Sequence, residues 1–235
     1  VAKFMHIGID VGGTNTDAVL MNGDVLVDKI KNPTTPDVTS GIISCINTLI
    51  SSRSDVDQID AVMLGTTHFV NALLQRRELA PSAALRLCLP ATTMLPPLVD
   101  WPDDLKNSIG GHTYMARGGH EYDGREISSI DEKELRKIAN QMTDEGVRSI
   151  SICGVFSPVD GSHEKIAAEI IKSETPDVNI TLSSEIGRVG LLERENAAML
   201  NACLVEVASK TVAAIRTAML SAGLNVPLFF SQNDG

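Results

Sequence analysis

The sequence predicts a mixed α/β fold, and three of its features lead to this class. Three short strands joined by tight turns open the chain, strand segments then alternate with helical segments, and no internal repeat is present. Strands that alternate with helices after an antiparallel opening predict a mixed sheet with helices on both faces.

The opening strands are predicted from the turn residues between them. Phe4–Asp10 is an apolar run that ends in a carboxylate, and Gly12-Gly13 is the turn after it. Thr16–Met21 follows as the second strand, and Asn22-Gly23 is a strong hairpin signal before a third strand over Asp24–Lys31. We therefore expect three antiparallel strands here.

The later elements are predicted from hydrophobic period and turn residues. Helices are expected from Pro36, over Phe69–Arg77, from Asp131 to about Glu145, from Ser162 to about Ser173 and over Leu191–Leu220. Strands are expected over Ala61–Leu64, Ala83–Leu89, Ser149–Phe156, Val178–Ser183 and Val226–Ser231. Asp131 and Ser162 are the expected N-caps of their helices. The proline-rich segment Pro90–Asp104 has no period, so we expect a long surface loop there.

Composition and charge exclude several classes of function. The 235 residues have a formal net charge of −10, with 43% hydrophobic and 21% charged residues, as in a soluble globular chain. An acidic surface repels the phosphates of nucleic acids and the anionic lipids of membranes, so neither is expected as a partner. No uninterrupted apolar run reaches the ~18 residues of a membrane span.

The cysteine pattern and the N-terminal sequence predict a cytoplasmic protein. Cys45, Cys88, Cys153 and Cys203 lie in apolar runs without a CxxC pair, as buried thiols in a reducing compartment do. No signal-peptide pattern precedes the first strand. The chain does not begin with Met and stops at a turn signal, Ser231–Gly235, so we expect a piece of a longer protein.

The strongest functional signal lies at the end of the first strand. This strand places Asp10 beside Gly12 and Gly13, which allow positive φ angles and a close approach of the backbone to a ligand. Backbone N–H groups in such a turn bind anions, and the hydroxyls of Thr14 and Thr16 add donors. The pattern favours a phosphate site over the alternative, a plain hairpin turn.

Two carboxylates and a second turn accompany this signal. Asp10 beside a phosphate would hold Mg²⁺ through waters, and Asp17 would be a second metal-side carboxylate or a base. Gly65-Thr66-Thr67 lies between a strand and a helix start, where N–H groups and the helix dipole favour an anion. The alternative there is an N-cap formed by Thr66 or Thr67. Asn71, one helical turn on, is placed to face the same cleft.

A resemblance to a known family rests on several segments. Asp10-x-Gly12-x-Thr14 between two strands resembles the first phosphate loop of the ATPase superfamily that contains actin, sugar kinases and heat-shock chaperones. Other segments look like the hydantoinase A / 5-oxoprolinase family and follow one another in its order. They are Gly65–Arg77 with its Gly-Thr-Thr-x-x-x-Asn-Ala-Leu-Leu, Gly119–Arg125, Leu192–Ala202 and Ser231–Gly235.

The resemblance implies an actin-like, ribonuclease H-like ATPase lobe. Residues 1–185 would form the N-terminal lobe with the first phosphate loop, and residues 186–235 a connecting helix and the first strand of a truncated second lobe. The implied cofactors are ATP and Mg²⁺. The implied nucleotide-binding residues are Gly12, Gly13, Thr14, Asn15, Thr16, Gly65, Thr66, Thr67, Asp234 and Gly235.

The resemblance also implies roles for other side chains. Asp10 and Asp17 would be the catalytic carboxylates, with Asp10 on the metal, and Asn71 and Arg194 would contact the substrate. The alternative for Arg194 is an exposed residue on a helix. Asn15 stands where the family commonly has Phe. It either contacts phosphate or substrate or marks a subfamily.

The implied activity is ATP-dependent hydrolysis of a cyclic amide of the hydantoin or 5-oxoproline type. An unstrained lactam is a poor electrophile, and phosphorylation of its amide oxygen creates a leaving group. A hydantoinase B-type second subunit is an implied partner, a homo-oligomer is left open, and the chain alone is expected to be inactive. Two alternatives stay open: a small-molecule kinase of the same fold, and a non-catalytic ATPase module of the reactivase type.

The histidines form no metal-ligand pattern. His112 and His120 are eight residues apart in a glycine-rich segment, so we predict solvated loop residues. His163, near a helix start, is predicted to lie at the surface.

Overall fold

A computed structural model describes residues 5–12, 14–34, 38–51 and 53–231 of the chain. Its strands are β1 Met5–Val11, β2 Asn15–Asn22, β3 Val25–Pro33, β4 Ile59–Thr66, β5 Ser82–Leu89, β6 His112–Arg117, β7 Ser149–Gly154, β8 Asn179–Leu182 and β9 Leu228–Phe230. Its helices are α1 Val38–Ile50, α2 His68–Gln75, α3 Asp103–Ser108, α4 Glu132–Asp144, α5 Ser162–Glu174, α6 Ser183–Ile186 and α7 Leu191–Ser221.

The described chain divides into two compact units. The first unit contains the residues up to Leu74 together with those from Ala208 onwards, and the second contains Gln75–Val207. Each unit has its own sheet and its own hydrophobic core. The lobe boundary expected at residue 185 does not coincide with a boundary of these two units, and it stays a prediction.

The first unit contains a mixed five-stranded sheet in the order β3-β2-β1-β4-β9. β1, β2 and β3 are antiparallel neighbours, which confirms the predicted opening, whereas β4 is parallel to β1 and β9 is parallel to β4. The β2–β3 hairpin pairs Asn22 with Val25, so its two loop residues are Gly23 and Asp24. Gly23 has the positive φ that this tight turn requires.

The alternation of side chains along β1 decides which face of this sheet is buried. Met5, Ile7, Ile9 and Val11 lie in the core, while Asp10 on the opposite face is exposed. The helices on the buried face, α1 and the C-terminal part of α7, contribute Ile42, Cys45, Ile46, Leu49, Ile215 and Met219. The face with Asp10 is therefore left open for a ligand. The predicted start of α1, at Pro36, lies outside the described residues.

The second unit contains a four-stranded sheet in the order β6-β5-β7-β8, with every pair parallel. The mixed sheet that the sequence predicts is the first sheet, and the sequence does not distinguish this second, parallel sheet from it. α4 and α5 cover one face, and α7 contacts the other, where Ser151 Oγ donates to Met199 Sδ. Because β5 and β7 are buried on both faces, their sequences show no alternation. The predicted α/β class itself is confirmed.

A buried ion pair joins the second sheet to α7. Arg86 of β5 and Glu195 of α7 have side chains 0% and 1% exposed, and Arg86 Nε donates to Glu195 Oε1 at 2.8 Å. A second guanidinium nitrogen donates to the same carboxylate, and a third hydrogen bond reaches the carbonyl oxygen of Leu95. These bonds compensate the desolvation of both charges.

The starts of α4 and α5 test the two predicted N-caps. Asp131 caps α4 as predicted, because its carboxylate accepts hydrogen bonds from two N–H groups of the first turn. Glu134 accepts from the N–H of Arg117, so its carboxylate links α4 to the end of β6. The N-cap of α5 is Gly161, without a side-chain hydrogen bond, so the predicted cap at Ser162 is wrong.

The segment between β5 and α3 is irregular, which confirms the predicted loop. Its end is tied to α7, because Trp101 Nε1 donates to Asn196 Oδ1 at 2.8 Å and Asn196 Nδ2 donates to the Asp100 carboxylate at 3.0 Å. The short helices α3 and α6 are absent from the predictions, since four to six residues are too few to show a helical period.

α7 is long and apolar enough to cross a membrane by length and composition. Core helices of soluble proteins pass the same test, and α7 buries Ile215 and Met219 in one core and Glu195 in an ion pair. The helix is therefore weak evidence for a membrane span, and the expected absence of a membrane partner stays a prediction.

Glu195→Gln is expected to destabilise the second unit by about 3–5 kcal/mol, because it leaves the Arg86 guanidinium buried without a counter-charge. The measurement is urea unfolding followed by the fluorescence of Trp101, the single tryptophan, which lies in this unit. Asp123→Asn is the control, since it removes an exposed pair with Arg125, and its midpoint should not move. A loss below about 1 kcal/mol for E195Q would contradict the role of the pair.

The four cysteines are free and buried, as predicted. Burial raises the pKa of Cys153 to about 12 and that of Cys203 to about 12, so neither forms a thiolate near neutral pH. We expect no reaction of the folded chain with dithionitrobenzoate at about pH 8, and four reactive thiols per chain in urea. A thiol that reacts rapidly in the folded chain would show that a cysteine is accessible.

Candidate functional site

The candidate site lies at the carboxyl end of β1. The strand register places Asp10 opposite Gly65 of β4 and opposite Asp17 of β2. Residues paired in this way direct their side chains to the same face, on the order of 5 Å apart. The structure therefore brings together three residues that the sequence assigns to one site.

A cavity of about 430 Å³ opens on this face of the sheet. Its volume lies in the range of small-molecule sites, ~300–1,000 Å³. The residues that line it include Asp10, Asp17, Val19, Met63, Gly65 and Ser231. Carboxylates and a hydroxyl therefore face one side of the cavity, and apolar side chains face the other.

Gly65 has no side chain, and polar atoms of two neighbouring residues lie close to the position that a Cβ would take. A Cβ at this position would lie 3.2 Å from Ser231 Oγ and 3.3 Å from Asp10 Oδ1, so a side chain would press on both. Ser231 is fixed by its N–H, which donates to the carbonyl oxygen of Leu64 at 2.9 Å. Ser231 is missing from the predicted site residues, because the pairing of β9 with β4 that places it has no local sequence signal.

The turn after Asp10 differs in detail from the prediction. The φ angle of Gly12 is not positive, and a Cβ there would lie 3.3 Å from the Asn15 carbonyl oxygen. The N–H of Gly12 donates to the same oxygen at 3.0 Å, so in this conformation it is not available to a phosphate. Three predicted nucleotide-binding residues, Gly13, Asp234 and Gly235, lie outside the described residues.

Thr34 holds this turn in place. Its N–H donates to the carbonyl oxygen of Thr14 at 2.8 Å, and its Oγ1 donates to that of Gly12 at 2.9 Å. Thr16 Oγ1 lies 3.3 Å from Thr34 Oγ1, so the predicted donor Thr16 uses its buried hydroxyl inside the protein. Thr14 is exposed and Asn15 is half-buried. Sequence reasoning missed Thr34, which lies just past the third strand.

The segment after β4 forms a helix N-cap, which is the alternative to an anion site there. Thr66 Oγ1 accepts the N–H of His68 at 3.0 Å, which caps the first turn of α2. The N–H and the hydroxyl of Thr67 each lie 3.4 Å from the Val11 carbonyl oxygen, and the N–H of Asn71 donates to Thr67 O. Both threonine hydroxyls thus bond within the protein, and the anion-binding role of this segment stays a prediction, as does the role of Asn71.

Asp10 and Asp17 differ in their surroundings. Asp17 forms an ion pair with Lys31, whereas Asp10 is exposed beside the cavity. No group of three or more His, Cys, Asp and Glu side chains in the described part of the chain is arranged to hold a metal ion. Mg²⁺ needs no such group, because it keeps several waters and binds through one or two carboxylates plus phosphate oxygens. Asp10 therefore fits as a Mg²⁺ ligand.

Arg194 belongs to the second unit, and its side chain is buried. Its Nε donates to Ser183 Oγ at 2.9 Å. One terminal nitrogen donates to the carbonyl oxygen of Gly154, and the other donates to the carbonyl oxygens of residues 188–190. The buried carboxylate of Glu164 completes the network by accepting from Ser183 Oγ and from the Gly154 N–H. The guanidinium is thus used inside the protein, and the predicted substrate contact stays a prediction.

Two histidines are placed differently from the predictions. His120 and His163 are 2% and 5% exposed, so the prediction of a solvated His120 and of a His163 at the surface is wrong. Their ring centroids lie 4.2 Å apart, and His163 Nδ1 accepts the N–H of Gly119 at 3.0 Å. His112 begins β6, and its Nδ1 lies 2.8 Å from a Glu145 carboxylate oxygen, so the predicted loop position of His112 is wrong.

Comparison with known families decides the membership of the chain. The sequence profile of the hydantoinase/oxoprolinase N-terminal region matches residues 6–175. The chain belongs to this family. The resemblance inferred from the motifs is thereby confirmed.

Curated relatives and solved structures agree with this membership. Caprolactamase subunit alpha of Pseudomonas jessenii is 24% identical over 98% of this chain and 35% of its own length. The acetophenone carboxylase gamma subunit of Aromatoleum aromaticum is 24% identical over 97% of the chain and 35% of its length. The chain thus spans about a third of these relatives.

Two solved structures share the fold. The crystal structure of ATP-dependent caprolactamase from Pseudomonas jessenii matches 96% of this chain and 35% of its own, with a TM-score of 0.75 and 22% identity. Nucleotide-free acetone carboxylase matches 95% of this chain and 35% of its own, with a TM-score of 0.71 and 17% identity.

Thr34→Val is expected to loosen the turn after Asp10, because it removes the hydroxyl that bonds to Gly12 O and Thr16. The expected loss of stability is about 1–2 kcal/mol, and deuterium exchange at residues 14–17, measured by mass spectrometry, should become faster. Thr48→Val is the matched control, since its hydroxyl bonds to Ser44 O on the exposed side of α1. Equal exchange in T34V and the unmodified protein would show that Thr34 does not hold the turn.

Proposed function

We propose that this chain is the N-terminal part of an ATP-dependent enzyme that hydrolyses cyclic amides of the hydantoin or 5-oxoproline type. The observation that supports it best is the exposed carboxylate of Asp10, at the carboxyl end of a central strand and beside a cavity. Family membership supports the reaction class. The relatives named as a caprolactamase and as carboxylases support an amide or ketone carbonyl group as the target.

The proposed role of this chain in the reaction is to position the reacting groups. Ile9 and Val11 are buried on either side of Asp10, so the strand holds the carboxylate on a rigid element. Asp10 would hold Mg²⁺, Asp17 would be the second carboxylate, and the exposed Thr14 would contact a phosphate. ATP would supply a phosphoryl group to the amide oxygen, which activates the carbonyl carbon towards water. The ring C–N bond would then break, and the phosphoryl group would leave as inorganic phosphate. Phosphoryl transfer depends mainly on such positioning and on charge stabilisation.

A second subunit of the hydantoinase B type is part of the proposal. Two of the relatives are named as subunits, alpha and gamma, which supports an assembly of more than one chain. The chain spans about a third of these relatives, and we expect it to have no turnover by itself. Its place in the cytoplasm, inferred from buried free thiols, belongs to the same proposal.

The test is an assay of the full-length protein with its copurifying partner. Protein is incubated with Mg·ATP and with 5-oxoproline, hydantoin or caprolactam, and both ADP and ring-opened product are measured. We expect the two products in equal amounts. A phosphorylated substrate that accumulates would favour the kinase alternative, and ADP without a ring-opened product would favour the non-catalytic ATPase module.

Asp10→Asn is expected to lower ATP-dependent turnover at least about a hundredfold, because it removes the charge that holds the metal. The melting temperature should not change, since Asp10 is exposed. Asp28→Asn is the control, as it neutralises an exposed carboxylate on β3, which β2 separates from β1, and it should retain full turnover. Normal turnover in D10N would remove Asp10 from the site.

A further inference from the structure

Four residues lie side by side across the first sheet. The register places Gly65 opposite Asp10, Asp10 opposite Asp17 and Asp17 opposite Lys31, on four adjacent strands. Directly paired residues share a face of the sheet, so these four form a cross-strand row on the open face. The row contains two carboxylates and one ammonium group.

The place of Lys31 in this row depends on a β-bulge. The register of β2 against β3 shifts by one residue between Leu20 and Met21. Without the shift, Asp17 would lie opposite Ile30, and Lys31 would lie on the other face, because one residue of slip exchanges the two faces of a strand. The bulge therefore brings a cation, and not an apolar side chain, beside Asp17.

The ion pair affects the net charge of the row more than it affects the stability of the fold. Lys31 Nζ lies 3.1 Å from Asp17 Oδ1 and 3.2 Å from Oδ2. The two side chains are 62% and 46% exposed, and pairs this exposed add little to folding stability. The ammonium group does cancel one of the two carboxylates, so the row has one net negative charge.

We propose that Lys31 is a positioning residue of the nucleotide site, which holds Asp17 and cancels its charge so that a polyphosphate meets one net negative charge instead of two. This inference rests on the proposed function, since it concerns the same site. Removal of Lys31 would expose the anionic ligand to a second uncompensated carboxylate. One unit charge at roughly 5–8 Å in a partly screened site changes affinity by about tenfold.

The test is calorimetric binding of ATP, with Mg²⁺ present, to the full-length protein. Lys31→Met is expected to raise the dissociation constant about tenfold, and Lys31→Arg to stay within about threefold of the unmodified protein. Adding Asp17→Asn to Lys31→Met should bring back part of the lost affinity relative to K31M, because it removes the uncompensated carboxylate. Lys29→Met is the matched control, as Lys29 lies on the same strand opposite Val19, one row away.

Each outcome decides between the two proposals. If K31M binds ATP as tightly as the unmodified protein, or if the added Asp17→Asn brings no recovery, the positioning role is overturned while the proposed function stands. If the unmodified protein binds no ATP, the proposed function is overturned, and this inference with it. Recovery in both the arginine variant and the double variant supports the role of charge, which a merely structural lysine would not show.

Discussion

The parallel pairing of β1 with β4 is the contact on which the candidate site depends. Parallel strands end at the same edge of a sheet, so this pairing sets Asp10 beside Gly65, where an antiparallel partner would have set it beside the start of a strand. The pairing is stabilised on the buried face of the sheet, because Ile9 and Leu64 lie opposite each other and both pack in the core of the first unit. Core packing on one face of the sheet thus places the polar groups on the other.

The second unit depends on three consecutive polar residues at the start of α7. Arg194 bonds to the end of β7 and to the segment before α7, Glu195 pairs with Arg86 of β5, and Asn196 bonds to Trp101. Successive helical residues point about 100° apart, so three neighbours reach three separate segments. The motif that suggested a substrate contact for Arg194 is, in this structure, the place where the helix is fastened to its sheet.

The sequence predicts well what depends on neighbours along the chain. The hairpins, the cap at Asp131 and the strand that carries Asp10 near its end follow from local period and turn residues, and the structure contains all of them. It predicts poorly what depends on distant pairing. Ser231 reaches the site through a strand that lies far along the chain, and the bulge near Leu20 shifts the hairpin register, so a count from the turn would miss both Thr34 and Lys31.

Under the proposed function, local charge, and not the net charge of the chain, decides whether phosphate binds at this site. A net charge of −10 is spread over the whole surface, and charges beyond roughly 8–10 Å are largely screened at physiological salt. Within that distance the cross-strand row has one net negative charge, which a single divalent cation converts into one positive charge. Under the proposed function, the metal and the nucleotide must therefore bind together, because the row repels a polyphosphate until the cation is present.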